Sequence, residues 1–111
     1  MGFFDIFKTN DINKGIENFK KTKNAVLIDV RTIEEYEQGH IPQSTNIDVA
    51  QISTAPNIFK DKTVPIYVYC QSGARSERAA QSLKSMGYEN VTNAGGIMGY
   101  TGEIEKGAGR L

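Results

Sequence analysis

Cys70 is the chain's only cysteine, and it stands between an apolar run, Ile66-Tyr67-Val68-Tyr69, and the loop Gln71-Ser72-Gly73-Ala74-Arg75-Ser76. A helical pattern begins directly after. A thiol at such a strand-to-helix junction lies in a turn whose backbone N–H groups converge, at the positive end of a helix. Both effects favour the thiolate, the form of cysteine that attacks sulfur, phosphorus and disulfides. A free cysteine is often only a small core residue. Here a glycine, two serines and an arginine crowd the next six positions, a poor core segment and a good cradle for an anion. The spacing points to nucleophilic chemistry at Cys70.

The elements that must hold this junction are legible on either side of it. Asn10 or Asp11 caps a first helix whose Ile12, Ile16 and Phe19 share one face, with Lys20, Lys21 and Lys23 suited to its C-terminal end. Ala25-Val26-Leu27-Ile28 is a continuous apolar run, the pattern of a strand covered on both sides. Thr32 with Glu35 three residues later makes a capping box, so a short helix is expected over Ile33 to Gln38, ending at Gly39. Ile41-Pro42 is extended, and Asn46-Ile47-Asp48 reads as a short strand. Val49 to Phe59 is ambiguous, with Pro56 expected to interrupt any helix there. Ile66 to Tyr69 is the second buried strand, and Ala79, Ala80, Leu83 and Met86 mark a helix face that Gly87 terminates. Asn90-Val91-Thr92 is a last short strand, followed by a glycine-rich turn over Gly95 to Tyr100 and a short helix or coil around Glu103 and Ile104. Strands alternating with helices predict an α/β fold with a parallel sheet between helical layers.

Composition narrows the functions open to such a domain. The 111 residues suffice for one core, read as an N-terminal arm over residues 1–9 and a single domain over 10–111. Thirteen basic and thirteen acidic side chains cancel, so no global field draws the chain to nucleic acid or to a membrane surface. Anion binding must be local. One cysteine and one histidine form neither an internal disulfide nor a zinc site, and a lone reactive thiol suits a reducing compartment, the cytoplasm by default. No apolar run approaches the ~20 residues of a membrane span. The start, Met1 to Lys8, lacks a signal-peptide pattern, and Ile6 stands where a myristoylation site wants Ser or Thr. Phe3, Phe4 and Phe7 are expected to pack on the domain.

Three blocks together resemble the single-domain rhodanese-like sulfurtransferases. The first is Leu27-Ile28-Asp29-Val30-Arg31, Glu34-Glu35-Tyr36, Gly39-His40-Ile41-Pro42 and Asn46-Ile47; the second is Cys70 to Ser76; the third is Gly95-Gly96-Ile97. Their order and spacing cover about residues 10 to 105. Departures are Gln43-Ser44-Thr45 in place of the family's Gly-Ala pair, and Tyr100 near the place of a common Trp.

The resemblance implies a three-layer α/β/α domain with a central, mostly parallel five-stranded sheet. It implies that Cys70 takes a sulfane sulfur from thiosulfate or a persulfide, becomes a persulfide, and passes the sulfur to cyanide or a thiol. The partners are then a small anionic donor and a thiol acceptor, with a sulfur-relay protein as a further one. No metal, flavin or nucleotide cofactor is implied. Successive N–H groups from Gln71 through Ser72, Gly73, Ala74 and Arg75 to Ser76 suit the terminal sulfur, and Gly73 lets the loop turn. Arg75 is assigned to attract the anionic donor, with the Ser72 and Ser76 hydroxyls in support. Asp29 and Arg31 are assigned to brace the loop rather than touch substrate. His40 belongs to a structural turn, since a thiolate held by a ring of amides needs no base. Gly95-Gly96 is read as permitting a close backbone approach.

Two other classes compete. A cysteine phosphatase wants five residues between its cysteine and arginine, and only four separate Cys70 from Arg75. Arsenate reduction with an external reductant stays open. So does a persulfide carrier or binding module without turnover, which would use the same residues.

Overall fold

The computed structural model describes residues 11–108. The Asp11 carboxylate accepts the Asn13 N–H at 3.0 Å and starts α1 (Ile12–Lys21), which buries Ile12, Ile16 and Phe19. The arm over residues 1–9 lies outside the described residues. After α1 the chain runs through β1 (Val26–Asp29), α2 (Ile33–Gln38), β2 (Ser44–Asn46), a 3-10 segment (Val49–Thr54), α3 (Ala55–Ile58), β3 (Ile66–Cys70), α4 (Ala74–Ser85), β4 (Val91–Gly96) and a 3-10 turn (Ile97–Gly99).

The strands form one sheet in the order β2-β1-β3-β4, and every pairing is parallel. Alternation along each strand sorts the core into two layers. Ile28 of β1 and Ile66, Val68 and Cys70 of β3 face Ala79, Ala80 and Leu83 of α4, together with Ile52 and Ala55. On the opposite side, Leu27 and Tyr69 meet Ile12, Ile16 and Phe19 of α1. Each such aliphatic side chain, taken fully out of water, contributes about 1.5–3 kcal/mol before chain entropy is subtracted.

From β1 the chain turns to β2 on one side; β3 and β4 then continue on the other. The C-terminal ends of β1 and β3 therefore flank the point where the winding reverses, the usual ligand crevice of an open parallel sheet. Asp29 ends β1, Cys70 ends β3, and Asp29 pairs in register with Tyr69. Topology alone brings these two distant stretches together.

Several expectations need correction. The described residues contain four strands, not five. Their other extended pairing is a single antiparallel bridge, His40 to Glu105, which stands apart from the sheet. The short strand lies at Ser44–Asn46 rather than Asn46–Asp48, because Leu27 pairs with Ser44 and Asp29 with Asn46. Pro56 does not break a helix; it sits in the first turn of α3, where a missing N–H costs nothing. The last strand runs on to Gly96, so the glycine pair belongs to β4 and not to a turn. A register shift beside Val68 and Tyr69 places Asn93 opposite Val68 and Gly95 opposite Tyr69, a bulge at Ala94.

Candidate active site

Cys70 is in phase with Ile66 and Val68, so its side chain points to the α4 side of the sheet, under the first turn of that helix. Gly73 closes the intervening loop at φ +106°, a left-handed conformation that a Cβ disfavours. The Gly73 N–H donates to Cys70 Sγ at 3.0 Å, and the Ser76 hydroxyl lies 3.4 Å from it. Burial of Cys70, which has no exposed surface, works against ionisation. The Ser76 hydroxyl and the N–H groups of Ser76, Gly73 and Ser72 outweigh it, and the thiol is held below its ordinary pKa.

The loop crest rests on β4. A Cβ on Gly96 would collide with the Gln71 carbonyl oxygen and stand 2.6 Å from Ser72 Cα, so only glycine lets the two backbones approach this closely. The Gln71 carbonyl also accepts the Met98 N–H at 3.2 Å. Gln71, Ser72 and Ala74 are exposed, Gly73 and Arg75 half-buried, and Ser76 buried.

Arg75 is not a bare cation. Its guanidinium makes a two-pronged pair with Glu35, Nη1 to Oε1 at 2.7 Å and Nη2 to Oε2 at 3.0 Å. Glu35 is also the third residue of α2, where its Oε1 accepts the Thr32 N–H at 2.9 Å. Arg75 first, helped by the Thr32 hydrogen bonds and opposed by partial burial, pulls Glu35 down to about 2. Arg75, assigned to attract the anionic donor, is thus held by a carboxylate that bonds both of its terminal nitrogens.

Asp29 and Arg31 form a second pair, almost wholly buried. Arg31 Nη2 donates to Asp29 Oδ2 at 2.7 Å, and the Arg31 N–H and Nε donate to Oδ1 at 2.9 and 3.0 Å. Arg31 also reaches the Gly39 carbonyl at 2.7 Å and Gln71 Oε1 at 3.5 Å. The pair thus joins β1, the turn after α2 and the cysteine loop. His40 is engaged elsewhere. Its ring stacks on Tyr36 at 3.7 Å, its Nδ1 lies 2.8 Å from the Tyr36 carbonyl, and its Nε2 faces Glu105 at 3.5 Å.

Two contributors escaped the sequence reading. Asn93 Oδ1 takes the Ser76 hydroxyl at 2.7 Å and the Gly95 N–H at 3.0 Å, while its Nδ2 donates to the Gly73 carbonyl at 3.2 Å. It knots β4, the loop and α4 together. The signal was a polar residue at an inward strand position two places before the glycine pair. Glu35 was legible as a cap, but nothing local shows that it also meets an arginine 40 residues away.

A cavity of about 360 Å³ opens beside the loop, lined in part by Arg31, Glu35, Gln71, Ile97, Met98 and Ile104. A larger hollow of about 1000 Å³ runs along β2 past Tyr36, His40 and Lys106, away from the cysteine loop. Among the described residues no group of three or more His, Cys, Asp or Glu is placed to hold a metal ion, and no helix is long and apolar enough to cross a membrane.

The fold is thus a parallel α/β sheet that presents a cysteine beneath backbone amides at a helix start. The model of the rhodanese-like domain matches residues 13–103, and the chain belongs to that family. An Escherichia coli structure described as a rhodanese with anions superposes with a TM-score of 0.70 at 34% identity, covering 75% of this chain and 99% of that one. Thiosulfate sulfurtransferase PspE of Escherichia coli (strain K12) is 38% identical over 71 residues, 63% of this chain and 68% of PspE. YrkF of Bacillus subtilis (strain 168) is 39% identical over 80 residues, 71% of this chain and 43% of YrkF. The chain thus spans less than half of YrkF's length.

Proposed function

We propose that this protein is a sulfurtransferase that carries sulfane sulfur as a persulfide on Cys70. In the loading step the Cys70 thiolate attacks the outer sulfur of the donor. An S–S bond forms to Sγ and the donor's own S–S bond breaks. Thiosulfate would leave as sulfite, and an organic persulfide as its thiol or thiolate. In the unloading step an acceptor, cyanide or a thiol, attacks the outer sulfur and the Cys70 thiolate leaves. The two half-reactions share one covalent intermediate, so ping-pong kinetics follow.

The observation that carries this reading is the Gly73 N–H aimed at Sγ from 3.0 Å, within a loop whose Ser72 and Ser76 amides also favour the thiolate. These donors are fixed by backbone, so they stabilise a sulfur anion without reorganising. Gln71, Ala74 and Arg75 complete the loop around it, while Asp29 and Arg31 act as its brace. Shielding of Cys70 at rest protects the thiolate from solvent side reactions. A lone reactive thiol works under reducing conditions, and the cytoplasm is the compartment this reading assigns.

Intact-mass measurement of the reduced protein after thiosulfate or an alkyl persulfide, followed by a cyanide chase, tests the cycle. The expected result is gain of one sulfur that the chase removes, absent in Cys70→Ser. Folded protein that gains no sulfur from either donor would overturn the reading.

A further inference from the structure

The mouth of the site is electrically balanced. Arg75 is paired in two-pronged fashion with Glu35, and Arg31 is paired with Asp29, so the four formal charges sum to zero. Asn93 Nδ2 also holds the Glu77 carboxylate at 3.2 Å, in the first turn of α4, where its charge opposes anions at that helix end. Against these paired groups, the cavity beside the loop has an apolar rim. Met98 is 72% exposed and Ile104 is 41% exposed, and Ile97 completes the edge. Exposed aliphatic side chains next to a reactive centre favour an apolar occupant.

Thiosulfate suits this mouth poorly. It is a dianion whose sulfonate end needs hydrogen-bond donors or free cations beyond the loop, and both guanidinium groups face carboxylates instead. An organic persulfide carries no charge beyond its S–SH end, which meets the amide ring, and offers carbon to the rim. Building on the persulfide cycle proposed above, we infer that the site selects an organic persulfide with an apolar body over thiosulfate, and that Glu35 sets this preference by cancelling the charge of Arg75.

The chemistry balances without an added oxidant or reductant. The Cys70 thiolate attacks the outer sulfur of R–S–SH, the new bond joins Sγ to that sulfur, and the donor's own S–S bond breaks. The electron pair leaves on R–S⁻, which takes up the proton; Cys70 keeps the persulfide anion. Glu35 takes no part in these steps. It acts on donor choice through Arg75, which lies within electrostatic reach of both Glu35 and Cys70.

The test uses two donors, thiosulfate and butyl persulfide released in situ from a masked precursor, on the full chain. Second-order rates of Cys70 persulfide formation are read by quenched-flow intact mass. Their ratio within one protein, compared between variants, removes the intrinsic reactivity of the donors. Glu35→Gln keeps the capping box, which accepts glutamine, and removes the charge. The thiosulfate-to-persulfide ratio is expected to rise about tenfold, the equivalent of ~1.4 kcal/mol. Met98→Ser, at an exposed position with little bearing on folding, is expected to slow butyl persulfide about threefold more than thiosulfate. An unchanged ratio in Glu35→Gln, or equal slowing of both donors in Met98→Ser, overturns the inference while the sulfur cycle stands. Failure of both donors to load the wild-type thiol overturns the cycle and the inference together.

Discussion

The Ser76 hydroxyl has one proton and three acceptors within reach: Asn93 Oδ1 at 2.7 Å, the Gly73 carbonyl at 3.1 Å and Cys70 Sγ at 3.4 Å. Asn93 orientation is settled by its neighbours, since the Gly95 N–H requires an oxygen and the Gly73 carbonyl requires an N–H. The contact to Asn93 is the shortest of the three, and the same hydroxyl stands within reach of Sγ to meet the thiolate. Backbone donors carry the rest. Alkylation of Cys70 by iodoacetamide is expected to titrate below the ~8.5 of a free thiol, and Ser76→Ala should move the midpoint back upward. Because the folded thiol is the stronger acid, its stabilising effect is present above the unfolded thiol's pKa and is lost as pH falls through the folded one. Asn93→Leu removes the side-chain acceptor of the buried Gly95 N–H, while the Gly73 carbonyl keeps the Glu77 N–H. A buried orphan costs about 1–3 kcal/mol, which urea unfolding should register along with slower sulfur loading.

At the level of elements, the loop is a contact surface as much as a turn. β4 ends in a glycine because the Gln71–Ser72 backbone lies on it. Gly96→Ala must push that crest away, and Gly73 N–H moves off Sγ with it. Misplacement by about 1 Å can cost ~10²-fold in rate, so loading should fall by that order while far-UV circular dichroism stays near wild type. α2 is tied to α4 through Glu35 and Arg75, each about 30% exposed in its side chain (32% and 29%). Such a pair is worth about 1 kcal/mol or less after solvent screening. Its acid dependence has a definite sign. The contribution is complete above the ~4.3 of an unfolded glutamate and is lost as pH falls toward about 2. The stability gap between wild type and Arg75→Gln, measured by urea unfolding, should narrow as pH drops from 5 to 2.

For the molecule as a whole, the buried Asp29–Arg31 pair links the sheet to the site. Asp29 also holds β2 through its own backbone, since its carbonyl accepts the Ile47 N–H and the Asn46 side chain. Tyr69, fully buried between the layers, donates or accepts at Ser44 and receives the Ile41 N–H at 3.0 Å, and burial pushes its hydroxyl pKa up. Removing one partner of a buried ion pair leaves an uncompensated charge, at a cost of about 3–5 kcal/mol. Asp29→Asn is expected to lower the melting temperature by more than ~10 °C, read by calorimetry. A drop no larger than a surface substitution gives would show that the pair is dispensable to the fold.

Some of this was written locally along the chain. The Asp11 cap of α1, the capping box of α2 and the apolar periodicities of α1 and α4 depend on residues two to four apart, and β1 and β3 announce themselves as apolar runs, so sequence alone determined these elements. The cysteine loop was legible for the same reason: strand, turn and helix start are contiguous from Ile66 to Ser76. Strand register and length were not, because pairing partners are chosen by long-range packing, which moved β2 to Ser44–Asn46 and carried β4 through Gly96. The charge state of the site was decided by tertiary structure too. Arg75 was read from its own loop as attracting the anionic donor, and only the tertiary structure showed that Glu35 on α2 pairs with it. Coulomb attraction acts through space between groups 40 positions apart, and no local pattern records it.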